Sequence, residues 1–561
     1  MTSTDHDDSA ARIDAAIIVA GGEGRRLGLD KPEQTVGGRR LLDAALDAVA
    51  GAVVVVVGPP RTVPPGVVVT RETPSGGGPL AAVVAGLDAL PAGVRTIAVL
   101  AADLPEVDRG TVSALAALRA RTDAPVVLAE DPTGRVQYLL AVWDAQALRS
   151  AVAGVGDPTG LPLRAIVRAD PPRLRSAVTD VDTPEHLRLA RISPTAVRRT
   201  LRRTLPVLPA VPGPLVDGAV LAEPLVAAAP FPPFDQSAMD GWAVAGRGPW
   251  TAVDGAVVAG HDAPPIRHGD AVRIATGARL PAGAERVIRD EQVIRDGDVL
   301  ACDAPARDDV RRAGSAWRTG ELLAPAGTAV GPAVTALATA GGVARALLRG
   351  PVRVALHTSG DEVGARGEHG LPETAAGPVA ALLTGFGARV TRAPHLADTP
   401  EAFVAALRQG GADVVAIIGA TGRGAADRLR GALEAAGAVL HVDGVDVRPG
   451  GSIIVATVAG GPVVLGLGGN PMAALLGAAL LGRPVCETLT GAAPRPEDLV
   501  ALADPNPDPR WRMLPAEPDG AGRWHVPGSV ATGHLGDAVD HRAIVLLPPL
   551  ARVGDLVERL V

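Results

Sequence analysis

Ala15-Ala16-Ile17-Ile18-Val19-Ala20-Gly21-Gly22-Glu23-Gly24-Arg25-Arg26-Leu27-Gly28-Leu29-Asp30-Lys31 is the stretch on which the fold of the first third of this 561-residue chain turns. Ala15 to Val19 is an apolar run and reads as a buried strand. A glycine-rich turn follows, and it closes on Lys31, the only lysine among 54 basic residues. In such a background lysine gives way wherever arginine will serve. The survivor therefore marks a place where a compact ammonium on a flexible stem is not exchangeable for a planar guanidinium. A strand, a glycine-rich turn and a lysine can hold a nucleoside triphosphate: backbone N–H groups ring the phosphate oxygens while Arg25 and Lys31 add charge. With 68 glycines in the chain, Gly21-Gly22-x-Gly24 alone would read as an ordinary tight turn; Arg25, Gly28, Asp30 and Lys31 change that. The spacing is not that of a P-loop, because Lys31 has neither the preceding glycine nor the following Ser/Thr.

Outward from this stretch, β-branched runs alternate with Ala/Leu-rich segments to about residue 190. Strand candidates are Ala15–Val19, Val53–Val57, Thr96–Leu100, Pro125–Leu128 and Leu139–Trp143. The alternation predicts a mostly parallel sheet with helices on both faces, whose ligand site lies beyond the carboxyl ends of its strands. Asp103, in Val99-Leu100-Ala101-Ala102-Asp103-Leu104-Pro105, falls at that edge. A carboxylate there suits Mg²⁺ bridging a triphosphate; as an isolated feature it would be about as good a cap for the helix that starts near Asp108. Gly76-Gly77-Gly78-Pro79-Leu80, preceded by Glu72, forms a third loop able to approach the base. In Asp180-Val181-Asp182-Thr183-Pro184-Glu185, Asp180 is the candidate for a second metal carboxylate, and Asp182 reads better as a helix cap.

These pieces, in this order over residues 14 to about 190, resemble the MobA-like molybdenum cofactor nucleotidyltransferases. The resemblance implies transfer of a nucleoside monophosphate from an NTP to molybdopterin with release of pyrophosphate, with Mg²⁺. It assigns nucleotide binding to Ala20, Gly21, Gly22, Gly24, Lys31, Glu72, Gly78 and Asp103, catalysis to Lys31 and Arg25, and metal binding to Asp103 and Asp180. The family's guanylyltransferases carry an Asn after the second strand and an Asp before the Gly-Pro-Leu turn. Here Gly58 and Arg71 or Glu72 stand in those places, which leaves GTP and CTP both open, with GMP transfer as the first expectation. A sugar-nucleotide pyrophosphorylase is a third reading of this part, and the module attached to it argues against that.

Net charge is −7, so no basic field favours nucleic acid. The two cysteines, Cys302 and Cys486, match no metal spacing and fit a reducing compartment. The polar, acidic start does not read as a signal peptide, and the most apolar run, Val463 to Leu481, is broken by glycines, Asn470 and Pro471. A cytoplasmic protein that binds neither membrane nor nucleic acid is expected. The chain divides into a disordered tail (1–13), a nucleotidyltransferase domain (14–190) and a linker with one basic helix capped by Ser193 (191–214). A Gly/Pro/Val-rich β region (215–348), a second α/β domain (349–489) and a small β domain (490–561) follow. The basic helix reads as a solvated face rather than a nucleic-acid patch, since no aromatics interleave its arginines.

Phe231-Pro232-Pro233-Phe234-Asp235-Gln236-Ser237-Ala238-Met239-Asp240-Gly241-Trp242 holds two of the chain's four phenylalanines and one of its four methionines. Gly466-Leu467-Gly468-Gly469-Asn470-Pro471-Met472 holds one of only two asparagines, at the end of a strand and the start of a helix where amides suit an anion. With Arg273-Ile274-Ala275-Thr276-Gly277-Ala278, Thr358-Ser359-Gly360-Asp361-Glu362, Asp398-Thr399-Pro400 and Asp427, these stretches are similar to the MoeA-like molybdopterin molybdenumtransferases from about residue 195 to 561. The resemblance implies an extended segment and β domain, a MogA-like α/β domain that binds the pterin, and a C-terminal β-barrel. Its catalytic set would be Asp240, Thr276, Glu362, Asp398 and Asp427, with Asp240 also a metal ligand; Gly360, Asp361, Gly469, Asn470 and Pro471 would hold molybdopterin. The substrates would be molybdate and adenylylated molybdopterin. The implied partners are a second copy bound through this half and a MogA-like adenylyltransferase.

The chain departs from that family at Gly314-Ser315-Ala316-Trp317, Glu373-Thr374-Ala375, Ile418-Gly419-Ala420-Thr421-Gly422 and Arg448-Pro449-Gly450-Gly451-Ser452, losing phosphate-facing lysines. Two readings follow: a bifunctional enzyme of molybdenum cofactor biosynthesis, or an active nucleotidyltransferase on a non-catalytic cofactor-binding or dimerisation scaffold. The surviving carboxylates Asp240, Glu362, Asp398 and Asp427 favour the first.

Overall fold

The computed structural model describes residues 12–21, 27–167, 170–176, 178–303, 309–364, 370–422, 428–539 and 541–561. Gly22, Gly24, Arg25, Asp427 and most of the expected N-terminal tail lie outside the described residues.

The first sheet has seven strands in the order Val68–Thr70, Val53–Val57, Ala15–Val19, Thr96–Ala101, Val136–Asp144, Val126–Glu130, Arg173–Arg175. The first four are parallel, and Val136–Asp144 runs antiparallel to both its neighbours. Ala15–Val19 and Val53–Val57 are apolar at every position because both faces of the sheet are covered. Helices Leu41–Ala48 and Arg109–Thr122 pack on one side through Leu42, Val112 and Leu115, and helix Gly78–Ala89 packs on the other through Leu80, Val83 and Leu87. On that second side Gly86 lets the helix settle onto the sheet, since a Cβ there would lie 2.5 Å from Ile17. This is the expected mostly parallel sheet, with one strand reversed.

The basic helix forms as Pro194–Thr204 with Ser193 as its cap, but it is not a solvated face. Val197, Leu201 and Leu205 enter the core of the second α/β unit, and Ala196 packs with Leu27, Val36, Leu41, Val181 and Leu187 of the first part. Val197 and Leu201 are one helical turn apart and Ala196 lies on the adjoining side, so one helix buries two apolar stripes against two bodies. The arginines between those stripes conceal this from a reading of charge alone.

Beyond the linker, Val211–Gly213 and Val220–Leu221 pair with Ala346–Arg349, which closes the extended segment on itself. Between them lies a six-stranded sheet that includes Gly241–Val244, Trp250–Val257 and Asp270–Ile274. The second α/β sheet runs Arg389–Arg392, Arg353–Thr358, Val414–Ile418, Val463–Leu467, Ile454–Thr457, Val439–Asp443, with the first four parallel. Helix Pro471–Thr490 is long and apolar enough by composition to cross a membrane, yet most of it is buried inside the protein. At the end of the chain, Trp511–Pro518, Arg523–His525, Leu499–Leu502, Leu556–Arg559 and Ala543–Leu547 close into a five-stranded barrel through the pairing of the first with the last. Val447–Arg448 of the α/β unit adds to this barrel alongside Trp511–Arg512.

Candidate functional site

Ala15–Val19 and Thr96–Ala101 are parallel neighbours, so the turn that ends at Lys31 and the loop carrying Asp103 leave the same edge of the sheet. Pro32 is buried and starts a 3₁₀ turn over Lys31–Glu33 that sets the lysine stem inward. Lys31 Nζ donates to Asp182 Oδ1 at 2.6 Å and lies 3.4 Å from Asp103 Oδ2. The loop carrying Asp180 and Asp182 is placed by a 3.1 Å backbone bond from Val181 N to Asp103 O. Asp182 is therefore not the helix cap expected of it. Thr183 caps helix Pro184–Arg191 by accepting from His186 N, which frees the Asp182 carboxylate for the lysine. Likewise Asp108, not Asp103, caps the helix that follows it, accepting from Thr111 N.

Burial works to lower the Lys31 pKa, but its hydrogen bond to Asp182 and the charges of Asp103 and Asp182 hold it above its ordinary value. Burial pushes the Asp103 carboxyl up; Lys31 opposes this, and the charges of Asp180 and Asp182 add to it. The bond to Lys31 draws Asp182 down. Three carboxylates around one lysine make a locally negative edge. Asp180 has its own weak partner, the exposed Arg135 at 3.5 Å. This donor set suits Mg²⁺, a hard cation that takes one or two carboxylates and completes its shell with phosphate oxygens. Among the described residues no three acidic, His or Cys side chains converge tightly enough to enclose a metal unaided.

Two further groups shape the site. The Glu72 carboxylate is buried, accepts from Gly76 N at 3.0 Å through Oε1, and leaves Oε2 without a partner. It lies against Gly21, where a Cβ would be 3.4 Å from Oε1. Arg61, not foreseen from sequence, bridges the two ends of the glycine-rich turn. It pairs with both oxygens of Asp30 at 2.7 and 2.8 Å and donates to Ala20 O at 3.0 Å. As one arginine among dozens it carries no signal in the sequence. Gly58 stands where a Cβ would lie 2.7 Å from Ala20 O, so the missing asparagine has no room at this backbone. Gly78 has φ +91, left-handed backbone that glycine supplies at the start of its helix.

In the second half, Asp240 Oδ1 accepts from Thr276 N at 2.6 Å and Thr276 Oγ1 at 2.9 Å, and these bonds draw its pKa down. Asp361 and Asp398 cross-bond, Asp398 N to Asp361 Oδ1 at 3.1 Å and Asp361 N to Asp398 Oδ2 at 3.4 Å. Gly360, at φ +109, turns so tightly that its missing Cβ would fall 2.8 Å from Glu362 Oε2. Gly469 meets Gly419 where the neighbouring strands Val463–Leu467 and Val414–Ile418 end. Asn470 does not cap the Pro471–Thr490 helix; its amide donates to Thr532 of the barrel at 3.3 Å. Beside it opens a cavity of about 980 Å³ lined by Arg448, Ser452, Asn470, Arg510, Arg512 and Thr532, among others. The strand pairing that sets Arg448 opposite Arg512 thus brings arginines of the barrel region to the same cavity as Arg448. Among the described residues no hydrogen bond or ion pair joins the Asp240–Thr276 pair to the Asp361–Asp398 pair.

A family profile described as a MobA-like NTP transferase domain matches residues 16–174. Others, described as the MoeA N-terminal region (domain I and II) and a probable molybdopterin binding domain, match 192–342 and 355–488. The molybdenum cofactor guanylyltransferase of Acidiphilium cryptum is 37% identical over 152 residues, 25% of this chain and 74% of that protein. The chain belongs to the MobA-like nucleotidyltransferases in its first part, and the rest matches the MoeA-like profiles. The molybdopterin molybdenumtransferase of a Nostoc species is 28% identical over 298 residues, 49% of this chain and 68% of that protein. A molybdopterin biosynthesis MoeA protein from Pyrococcus horikoshii shares the fold, with a TM-score of 0.53 at 22% identity over 65% of this chain and 98% of that one. Both parts are transferases by family, and their fusion is a bifunctional protein of molybdenum cofactor biosynthesis.

Proposed function

We propose that the MobA-like part transfers GMP from Mg²⁺·GTP to the terminal phosphate of molybdopterin or its molybdenum form, releasing pyrophosphate. We propose also that the MoeA-like part inserts molybdate into adenylylated molybdopterin. The observation that carries the first reading is Lys31 held between Asp103 and Asp182 at the mouth of the glycine-rich turn. Asp103 and Asp180 would hold Mg²⁺, which supplies charge neutralisation on the triphosphate. Lys31 is kept protonated and aimed by its two carboxylates, ready to bind phosphate oxygens as charge builds on them. Positioning and charge account for most of the acceleration in such transfers. Arg61 ties Ala20 to Asp30, on either side of the glycine-rich stretch.

Guanine over cytosine is favoured by Glu72. Guanine presents N1–H and N2–H side by side to a carboxylate; cytosine presents one donor, N4–H, next to the N3 acceptor, which a carboxylate repels. The unpartnered Glu72 Oε2 is the acceptor that guanine would satisfy. For the second part, Asp240 and Thr276 would organise oxyanion and cation, and Arg448, Arg510 and Arg512 would hold phosphate. Because Asp240–Thr276 lies on a different sheet from Asp361–Asp398, a second copy could bring the two pairs together, in keeping with a homodimer through this half. A MogA-like adenylyltransferase would supply its substrate.

Purified chain incubated with molybdopterin, GTP or CTP, and molybdate should yield a guanine dinucleotide cofactor. Asp103→Asn should abolish Mg²⁺-dependent nucleotide transfer. A cytosine product, or full turnover by Asp103→Asn, would overturn the corresponding part of the reading.

A further inference from the structure

The linker helix Pro194–Thr204 carries arginines that neither transferase site uses. Arg198, Arg199 and Arg202 line a cavity of about 290 Å³, together with Arg483, Arg495 and Arg559 from the MoeA-like part. Two of the six are neutralised directly: Arg198 pairs with Glu558 at 2.6 Å, and Arg559 pairs with Asp498. Asp108, also on the wall, is engaged as a helix cap by the Thr111 N–H and hydroxyl. Among the described residues Arg199, Arg202, Arg483 and Arg495 have no direct ion pair, and Arg483 Nε is buried without a hydrogen-bond partner.

The remaining acids on the wall, Glu487 and Glu497, feel these arginines only at longer range. Burial pushes both carboxyls up, so they are reluctant counter-charges. On the cationic side, burial followed by the nearby Arg39 lowers Arg199 against Glu106, Asp108 and Asp47, and burial followed by Arg495 lowers Arg483 against Glu487 and Glu558. Arg483 and Arg495 are thus like charges brought together in a partly dry cleft, an arrangement that costs free energy until an anion enters. A second cavity of about 480 Å³ adjoins it, sharing Arg483, Glu487 and Arg495 as the common wall. There the Arg483 guanidinium lies 4.9 Å from the centre of the Phe386 ring.

We propose that this cleft binds a small, multiply charged oxyanion, of the pyrophosphate or molybdate kind, in the fork of Arg199, Arg202, Arg483 and Arg495. The site is separate from both transferase sites. It joins the linker helix to the Pro471–Thr490 helix and to the segment leading into the barrel, so an occupant tightens the junction between the two halves. Guanidinium groups fit such a ligand because each presents paired donors to two oxygens.

The test is calorimetric titration of the intact chain with inorganic pyrophosphate, and separately with molybdate, in EDTA, so that Mg²⁺-dependent binding at the nucleotidyltransferase site is silent. Arg202 and Arg495 are exposed, so Arg202→Gln/Arg495→Gln should fold normally. Apart from any binding at the Arg448, Arg510 and Arg512 cavity, which these variants leave unchanged, one saturable site is expected, with affinity about tenfold or more weaker in the double variant and partly restored in Arg202→Lys/Arg495→Lys. The anion that binds more tightly identifies the source. Equal affinity in wild type and the double glutamine variant, or no saturable binding of either anion, would overturn the proposal.

Discussion

Lys31 gains its position from two carboxylates that pull on it from different loops, and the pair it forms with Asp182 has a defined pH range. The Lys31 pKa is raised, so its contribution to stability is complete below the ordinary lysine value and lost as pH climbs through the folded value. The Asp182 pKa is lowered, so its contribution is complete above the ordinary carboxylate range and lost as pH falls through the folded value. The stability difference between wild type and Lys31→Met should therefore be flat from roughly pH 5 to roughly pH 10 and shrink in acid. Thermal melts across that range check it; a difference that collapses near neutrality would contradict the pairing. Lys31→Arg should fold yet lose most nucleotide transfer, because a planar fork does not fit between Asp103 and Asp182.

Glu72→Gln should reduce the preference for GTP over CTP by roughly one to two orders of magnitude, measured as the ratio of kcat/KM values; an unchanged ratio would remove Glu72 from base selection. Gly58→Asn should destabilise by about 1–3 kcal/mol and raise KM for the nucleotide, since its Cβ meets the Ala20 carbonyl. Lys31 and the glycine-rich turn are legible in the sequence because rarity and spacing single them out. Arg61 is hidden by the same composition that exposes Lys31: its role arises from meeting Asp30 and Ala20 in space.

At the scale of elements, strands buried on both faces announce themselves as unbroken apolar runs, which is why Ala15–Val19 and Val53–Val57 are found at the expected bounds. Short two-residue strands carry no such periodicity, so the addition of Val447–Arg448 to the barrel, and with it the meeting of Arg448 and Arg512, is visible only in the fold. The linker helix misleads for a different reason. Its arginines outnumber its apolar residues, and a helix with two narrow apolar stripes looks polar when averaged over all faces. Leu201 is fully buried, so Leu201→Ala should cost about 2–5 kcal/mol. Calorimetric scans of that variant should separate the unfolding of the two halves, and a single unshifted transition would show that the helix does not couple them.

At the scale of the molecule, the two transferases are not beads on a string. The first part also touches the barrel region, where Arg175 donates to the Leu550 carbonyl at 2.5 Å, and in the linker Ile192 O accepts from Asp446 N of the second α/β unit at 2.8 Å. With a flexible tether, effective concentration falls as the linker lengthens; here the separation of the halves is set by packing. Ala196 shares its small core with Leu27, just after the glycine-rich turn, and with Val181, between Asp180 and Asp182. The linker helix is thus part of the floor beneath the Lys31 cluster. A gene divided before this helix would strip the Lys31 loops of the Ala196 support, and one divided after it would leave Val197 and Leu201 uncovered on the first product, so either cut exposes an apolar wound on both products. Fission of this fusion would demand compensating surface changes on both sides at once, so the joined chain is held together by its folding and not only by the convenience of making two enzymes in one translation.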